Sequence, residues 1–229
     1  MATHLPNLSI ALRVLSRLLA YPDSALRVDL IDMRAALHAD SALSTGRKDE
    51  LYALMQKLET GDPLRNESEF IELFDRGRST SLHLFEHVHG DSRDRGQAMI
   101  DLIKTYEQAG LFLAPGELPD YLPALLEFLS QVPSEHAQKL LGDAVHVIAH
   151  IGGKLQDSGS PYAALLQGVA ALSPVAPQPL IEPPVRDMDE AMETFGPDVS
   201  GVEPLLKPAV ETVQFYPKNA YAAQKGAVL

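Results

Sequence analysis

Residues 81–129 read SLHLFEHVHGDSRDRGQAMIDLIKTYEQAGLFLAPGELPDYLPALLEFL, and the pattern in this stretch decides the fold. Apolar residues recur every three or four positions in three segments, which predicts helices at about 80–88, 92–109 and 121–131. A glycine and a charged run separate the first two, and a loop rich in proline and glycine separates the last two. Three histidines lie beside the first break, so a functional site is expected in this stretch.

The same helical spacing continues on both sides of the stretch. Upstream we predict helices over about 8–20, from a cap at Ser24, over about 44–60, and from a cap at Asn66; downstream, from Ser134 to about Gly152 and after Ser160. No alternating run of β-branched residues bounded by turns occurs, so strands are not expected. Because no amphipathic helix hides its apolar face alone, residues 1–172 are predicted to form an all-α, single-domain helical bundle.

Residues 173–229 have a different composition. They hold nine of the seventeen prolines, and eight acidic residues against four basic ones. Such a density of proline prevents continuous helix or sheet. We therefore predict an acidic, proline-rich and largely disordered C-terminal tail.

Charge and composition exclude several classes of function. The formal net charge of -12 argues against nucleic acid, which requires clustered Lys and Arg, and favours a basic partner. The chain has no cysteine, which excludes disulfides, thiolate metal sites and a cysteine nucleophile and suits the cytoplasm. No apolar stretch is long enough to insert directly into a membrane, and the motifs of phosphate-binding loops and nucleophile elbows are missing.

Histidines at ligand spacing support one alternative, a metal-binding helical-bundle enzyme with His and carboxylate ligands. His83 with His87, and His146 with His150, are pairs four residues apart that share a helical face. Glu86 and Asp143 each precede a histidine by three residues, as in the paired motifs of di-metal bundles. Such pairs are more often surface or core imidazoles than metal ligands.

The charged run at 91–95, DSRDR, has two interpretations. In the first, Asp91 or Ser92 caps the next helix and the remaining charges are solvated. In the second, Arg93, Arg95, Glu86 and the histidines form a network that joins two helices or lines a recognition surface. The apolar residues nearby are most simply core, and only secondarily a groove.

Two motifs carry a resemblance to a known family. They are LHLFEHVHGDSRDRGQAM at 82–99 and ELPDYLP at 117–123, followed by EFL at 127–129. Over about residues 8–172 the chain resembles the NarJ family of nitrate reductase molybdenum-cofactor assembly chaperones, which is related to TorD and DmsD. In that wider group the second loop commonly reads Glu-Pro-x-Asp-His, whereas this chain has Leu118 and Tyr121 at the first proline and the histidine. A role based on that histidine is therefore not carried over.

The resemblance implies a cytoplasmic, all-helical chaperone of the TorD/DmsD type that does no covalent chemistry. It implies a partner, the catalytic (alpha) subunit of nitrate reductase, bound through its N-terminal segment. The chaperone would keep that subunit competent for molybdenum cofactor insertion and complex assembly before membrane attachment. No cofactor is expected to stay bound to the chaperone itself.

We expect the client segment to lie in a groove near residues 81–129, its apolar stripe against the chaperone and its basic residues at an acidic rim. The candidate client-binding residues are Leu84, Phe85, Glu86, His87, His89, Asp91, Arg93, Arg95, Tyr106, Asp120, Tyr121, Leu125 and Glu127.

Two further hypotheses remain open. Since His83, His87 and His89 lie beside acids, client affinity could depend on pH; the alternative is that these imidazoles only satisfy helix ends and core hydrogen bonds. The chain could also be a regulatory adaptor that acts through its proline-rich tail.

Overall fold

The computed structural model describes residues 7–89 and 93–180 of the chain. These residues form α-helices joined by short connections: α1 (Ser9–Leu18), α2 (Ser24–Ala39), α3 (Thr45–Thr60), α4 (Pro63–Ile71), α5 (Leu84–Val88), α6 (Arg93–Gln108), α7 (Leu122–Gln131), α8 (Ser134–Asp157) and α9 (Ala163–Ala171). Strand pairing within the described residues is limited to one isolated bridge, between His83 and Tyr121. The predicted all-α class is confirmed. The tail predicted for 173–229 lies, from residue 181 onward, outside the described residues.

Short polar side chains begin several helices, although not always the ones that the sequence indicated. The carboxylate of Asp23 accepts a hydrogen bond from the Leu26 N–H at 2.8 Å, so Asp23 caps α2 and Ser24 is its first residue. Asn66 is not a cap, because α4 has already begun after Asp62. Asn66 is buried instead, and its side-chain amide donates to a backbone carbonyl of α3 at 3.3 Å.

Helix α1 lies at the centre of the packing and contacts α2, α7 and α9. Its Leu12, Leu15 and Leu18 are fully buried, and burying one such side chain stabilises the fold by about 1.5–3 kcal/mol. Two hydroxyls of α1 also donate to carbonyls of α7: Ser9 Oγ to Ser130 O at 2.6 Å and Ser16 Oγ to Pro123 O at 2.7 Å. From the first of these bonds to the second, the residue number increases on α1 and decreases on α7, so the two helices are antiparallel.

Helix α8 runs five residues beyond the predicted end at Gly152. Gly152 is buried where α8 meets α9, and a Cβ there would lie 3.1 Å from the Cβ of Leu166. The absent side chain lets the two helices approach closely. This packing offsets the cost of about 0.5–1 kcal/mol that glycine imposes inside a helix.

The helix predicted at about 80–88 begins only at Leu84, after a π-helical turn (Glu72–Arg76) and a 3-10 turn (Arg78–Thr80). The reason is a tertiary contact, since His83 is extended and forms a bridge with Tyr121, just before α7. The Leu122 N–H donates to Leu82 O at 2.8 Å, and the Leu84 N–H donates to Asp120 O at 3.1 Å. This pairing joins the two motifs in space.

Within the described part of the chain, no helix combines the length and apolar character needed to cross a membrane.

Candidate functional site

An open groove of about 850 Å³ is lined by α1, α2 and α7 and by the loop 111–117. Helix α1 contacts both α2 and α7, so it supplies the middle of the lining. The lining residues of α7 extend from Pro123 to Gln131, a distance of about 12 Å at 1.5 Å per residue. The groove is therefore about as long as two turns of a helix.

Small and apolar side chains make up much of the groove surface. Ala20, in the turn after α1, Ala36 of α2 and Ala124 of α7 line it, beside Met33 and Phe128. Alanine leaves space that a larger side chain would fill, so these positions help to keep the depression open. Such a surface suits the apolar face of another helix.

The charged side chains of the groove give it a net negative rim. They are Arg13, Arg17, Asp29, Asp32, Glu117 and Glu127. Arg17 is neutralised by Asp29, with Nε 2.9 Å from Oδ2, and by Asp23 at 3.2 Å. The carboxylates of Asp32, Glu117 and Glu127 form no ion pair with any described residue and lie at exposed positions. The rim is thus suited to Lys and Arg side chains of a partner.

The loop 111–117 carries an unusually exposed aromatic side chain. Phe112 lines the groove and is 78% exposed, between Leu111 and Leu113, which pack against the core. Gly110 and Gly116, with φ of 77° and 92°, lie on either side of this apolar segment. Only glycine adopts such angles readily, so the two turns hold Phe112 at the lip without burying it.

Asp120 fixes the junction between this loop and α5. The residue is 0% exposed, and its carboxylate accepts the Phe85 N–H at 3.1 Å and lies 3.4 Å from His83 Nδ1. The hydrogen bond to Asp120 raises the pKa of His83 above its usual value. Asp120 comes just before α7 in the sequence, where an acid commonly caps a helix. Its carboxylate nevertheless bonds to the beginning of α5. It is a tertiary link between the two motifs.

Two tyrosines also line the groove. Tyr106 is buried, packs with its ring 4.4 Å from that of Phe128, and donates its hydroxyl to Pro119 O at 2.7 Å. Tyr121 is half-buried with its ring 5.3 Å from that of His83, and burial raises its pKa to about 12. Both hydroxyls therefore stay protonated at neutral pH, and both rings present neutral surface.

Tyr121 also lines a smaller hollow of about 300 Å³, together with Glu86, His83 and Asp75. Glu86 accepts hydrogen bonds from Ser81 Oγ at 2.7 Å and from Arg95 at 3.3 Å. The Glu86–Arg95 ion pair connects α5 with α6, which is part of the network expected from the charged run.

The remaining candidate residues are placed as follows. Leu84 and Leu125 are 4% exposed and belong to the core. Phe85 and His89 are half-buried with rings 5.5 Å apart. Tyr106, Tyr121 and Glu127 line the groove. Asp91 lies outside the described residues, and Arg93 begins α6 with its side chain outside them.

Sequence reasoning missed α1, α2 and Phe112 as parts of the groove. The groove residues of α1 and α2 lie far from 81–129 in the sequence, and their apolar spacing looks like that of core positions. Phe112 did give a signal, since Leu111–Pro115 reads LFLAP in a loop between two glycines. Such a run of apolar residues outside any helix indicates a binding surface.

The histidine pairs are engaged in other contacts. His87 is buried with Nε2 2.8 Å from Ser81 O, and its ring lies 6.1 Å from that of His150. His146 Nδ1 accepts the Gln178 N–H at 2.9 Å. Among residues 7–89 and 93–180, no three His, Asp or Glu side chains cluster so as to hold a metal ion.

Comparison with known proteins gives consistent matches. A family model described as nitrate reductase delta subunit matches residues 40–167, a range that includes α7 but begins after α1 and α2. The nitrate reductase molybdenum cofactor assembly chaperone NarJ of Escherichia coli K12 is 46% identical over 167 residues, 73% of this chain and 71% of that protein. The probable chaperone of the same kind NarW, also from E. coli K12, is 41% identical, covering 71% of this chain and 67% of that protein. The corresponding probable NarJ of Bacillus subtilis 168 is 30% identical, covering 71% and 87%.

A solved structure has the same fold. It is a redox enzyme maturation protein from Archaeoglobus fulgidus, with a TM-score of 0.54 and 19% sequence identity, covering 74% of this chain and 96% of that one. At this identity the match supports the fold of the helical bundle alone.

Proposed function

This chain belongs to the nitrate reductase delta subunit family, and on that premise we propose that it is a dedicated chaperone for the assembly of a nitrate reductase. Its client is the catalytic subunit, bound through its N-terminal segment. The chaperone keeps this subunit competent for molybdenum cofactor insertion, in the cytoplasm and before membrane attachment. It acts by binding and performs no covalent chemistry.

The observation that carries this proposal is the groove between α1, α2 and α7, with its alanine-lined surface and acidic rim. An amphipathic helix of about two turns matches its length of about 12 Å. The apolar stripe of that helix would cover Ala20, Ala36 and Ala124, and its Lys and Arg side chains would meet Asp32, Glu117 and Glu127.

A peptide fits this groove better than a small molecule does. The volume of about 850 Å³ lies in the range of small-molecule pockets, but those sites are largely closed and hold convergent polar groups. This groove is open to solvent, and its carboxylates lie on separate elements. Separate charges suit a long ligand with several basic side chains.

Titration calorimetry with the N-terminal peptide of the catalytic subunit tests the proposal. Phe112→Ala removes an exposed side chain at the lip, so the fold is unaffected while the contact with the client is lost. Covering one such ring contributes about 1.5–3 kcal/mol, so affinity should fall about tenfold or more. Leu64→Ala is the matched control, since Leu64 is 73% exposed on α4 and does not line the groove. Equal affinities for both variants and the unchanged protein would remove Phe112 from the binding surface, and no binding by any of them would refute the proposed function.

The acidic rim has its own test. Glu127→Gln should weaken peptide binding and reduce its dependence on salt, because screening acts on exposed charge pairs. Glu135→Gln, which changes an exposed carboxylate at the start of α8 outside the groove, should leave both unchanged. An affinity that does not vary with salt would exclude a role for the rim.

Truncation separates this proposal from an adaptor that acts through the C-terminal tail. The cut belongs after Leu180 and not after Leu172, because residues 173–180 contribute to the described body: Val175 lies over Gly142, and the Gln178 N–H donates to His146. A chain ending at residue 180 should bind the peptide as the full chain does. Loss of binding on truncation would favour the adaptor.

A further inference from the structure

Arg13 differs from the other arginine of the groove. It lies at an exposed position of α1 and lines the groove. Arg17, one turn further along, is held by two carboxylates at 2.9 and 3.2 Å. Arg13 forms no hydrogen bond or ion pair with any residue in 7–89 or 93–180, so its guanidinium has five donors available to a ligand.

The antiparallel packing places Arg13 between two carboxylates of opposite walls. Ser9 bonds to Ser130, and Ser16 bonds to Pro123; interpolating between these bonds puts Arg13 level with Leu126 and Glu127 of α7. On the other side Arg17 pairs with Asp29 of α2. Arg13 precedes Arg17 by one turn of α1, and Asp32 follows Asp29 by about one turn of α2. Arg13 is therefore level with Asp32. Neither Asp32 nor Glu127 is within ion-pair distance of Arg13 in the described structure.

An occupant that covered Arg13 with apolar atoms alone would remove its hydration and return no hydrogen bond, which is unfavourable. A carboxylate over Arg13 replaces that water with a charge-assisted, bidentate contact. Neighbouring residues of a helix point about 100° apart. A basic residue next to that acid therefore points to a wall of the groove, towards Asp32 or Glu127.

Resting on the proposed function, we propose that Arg13 is a specificity-determining residue that reads one acidic side chain in the client helix. The recognised chemistry is a mainly basic amphipathic helix with an aspartate or glutamate at the edge of its apolar stripe, adjacent in sequence to lysine or arginine. Clients with an uninterrupted basic face are rejected at this level of the groove, because a base over Arg13 meets a like charge.

Charge reversal on both sides tests this inference. The probes are the N-terminal peptide of the catalytic subunit and variants in which each acidic residue in turn is replaced by lysine. One of these lysine variants should bind the unchanged protein at least about tenfold more weakly than the original peptide does, as expected for loss of a charge-assisted pair. Arg13→Glu should weaken the original peptide and restore the affinity of that one lysine peptide.

The control is Arg65→Glu, which reverses an exposed arginine of α4 outside the groove and should leave all affinities unchanged. Thermal unfolding of Arg13→Glu verifies that the variant is folded. If Arg13→Glu changes the affinity of every peptide by the same factor, with no peptide rescued, the inference is overturned while the proposed function stands. If the original peptide does not bind the unchanged protein, both fail.

Discussion

Asp120→Ala should destabilise the protein more than any change to an exposed carboxylate. Asp120 is fully buried and its carboxylate holds the Phe85 N–H at 3.1 Å, with His83 Nδ1 at 3.4 Å. Alanine leaves the Phe85 N–H, in the first turn of α5, without its acceptor at a half-buried position. It also removes one of the contacts that join the two motifs.

The magnitude follows from these contacts. A hydrogen bond to a charged group contributes about 1.5–3 kcal/mol, and an unsatisfied buried donor costs about 1–3 kcal/mol. These terms overlap because they describe one bond seen from its two ends. His83 is about one-third exposed, so its ring regains water when Asp120 is removed and adds little to the loss. We expect Asp120→Ala to lower the free energy of unfolding by about 1.5–3 kcal/mol.

Urea unfolding followed by far-UV circular dichroism measures this loss. The midpoint should fall while the slope with urea stays the same, since the surface exposed on unfolding does not change. The control is Asp143→Ala, on an exposed position of α8, which should stay within about 0.5 kcal/mol of the unchanged protein. A change of that small size in Asp120→Ala as well would refute the role given to this carboxylate.

Two further predictions concern the same region. Asp120 raises the pKa of His83 above 6.5, so protonated His83 adds stability that is complete below pH 6.5 and is lost as pH rises through the raised pKa. The urea midpoints at pH 6 and pH 8 should therefore differ more for the unchanged protein than for His83→Gln. Equal differences in the two proteins would exclude a contribution of the His83–Asp120 pair. A Cβ at Gly77 would lie 2.7 Å from Leu73 O and from Thr80 Oγ1, so Gly77→Ala should lower the free energy of unfolding by about 1–3 kcal/mol. Gly96→Ala in α6, where nothing lies within 4 Å, should raise it by about 0.5–1 kcal/mol; melting temperatures of the two variants that shift in the same direction would contradict this contrast.

The helices were predictable because their signals are local. Apolar residues at a spacing of three or four positions predicted the bundle, and a glycine at 110 predicted the end of α6, where φ is indeed 77°. Asp120 shows where local signals fail. An acid just before a helix looks the same in sequence whether it caps that helix, as Asp62 does, or bonds to a backbone N–H thirty-five residues earlier.

The groove was less predictable than the fold. Attention to residues 81–129 led to Tyr106, Tyr121 and Glu127, which do line it. The other walls come from α1 and α2, whose groove residues resemble core positions in the sequence. Hydrophobic spacing identifies the face that a helix turns inward, but the place where packing leaves a depression depends on side-chain volumes across several helices.

The central claim is that the groove between α1, α2 and α7 holds the client's N-terminal segment, and cysteine protection tests it directly. Since the chain has no cysteine, one introduced at Ala124, within the groove, or at Ala35, exposed on α2 outside it, reports on its own position. The client peptide should slow alkylation of the Ala124→Cys protein strongly and leave Ala35→Cys unchanged. Saturating peptide that leaves the Ala124→Cys rate as it is in the free protein would contradict the account.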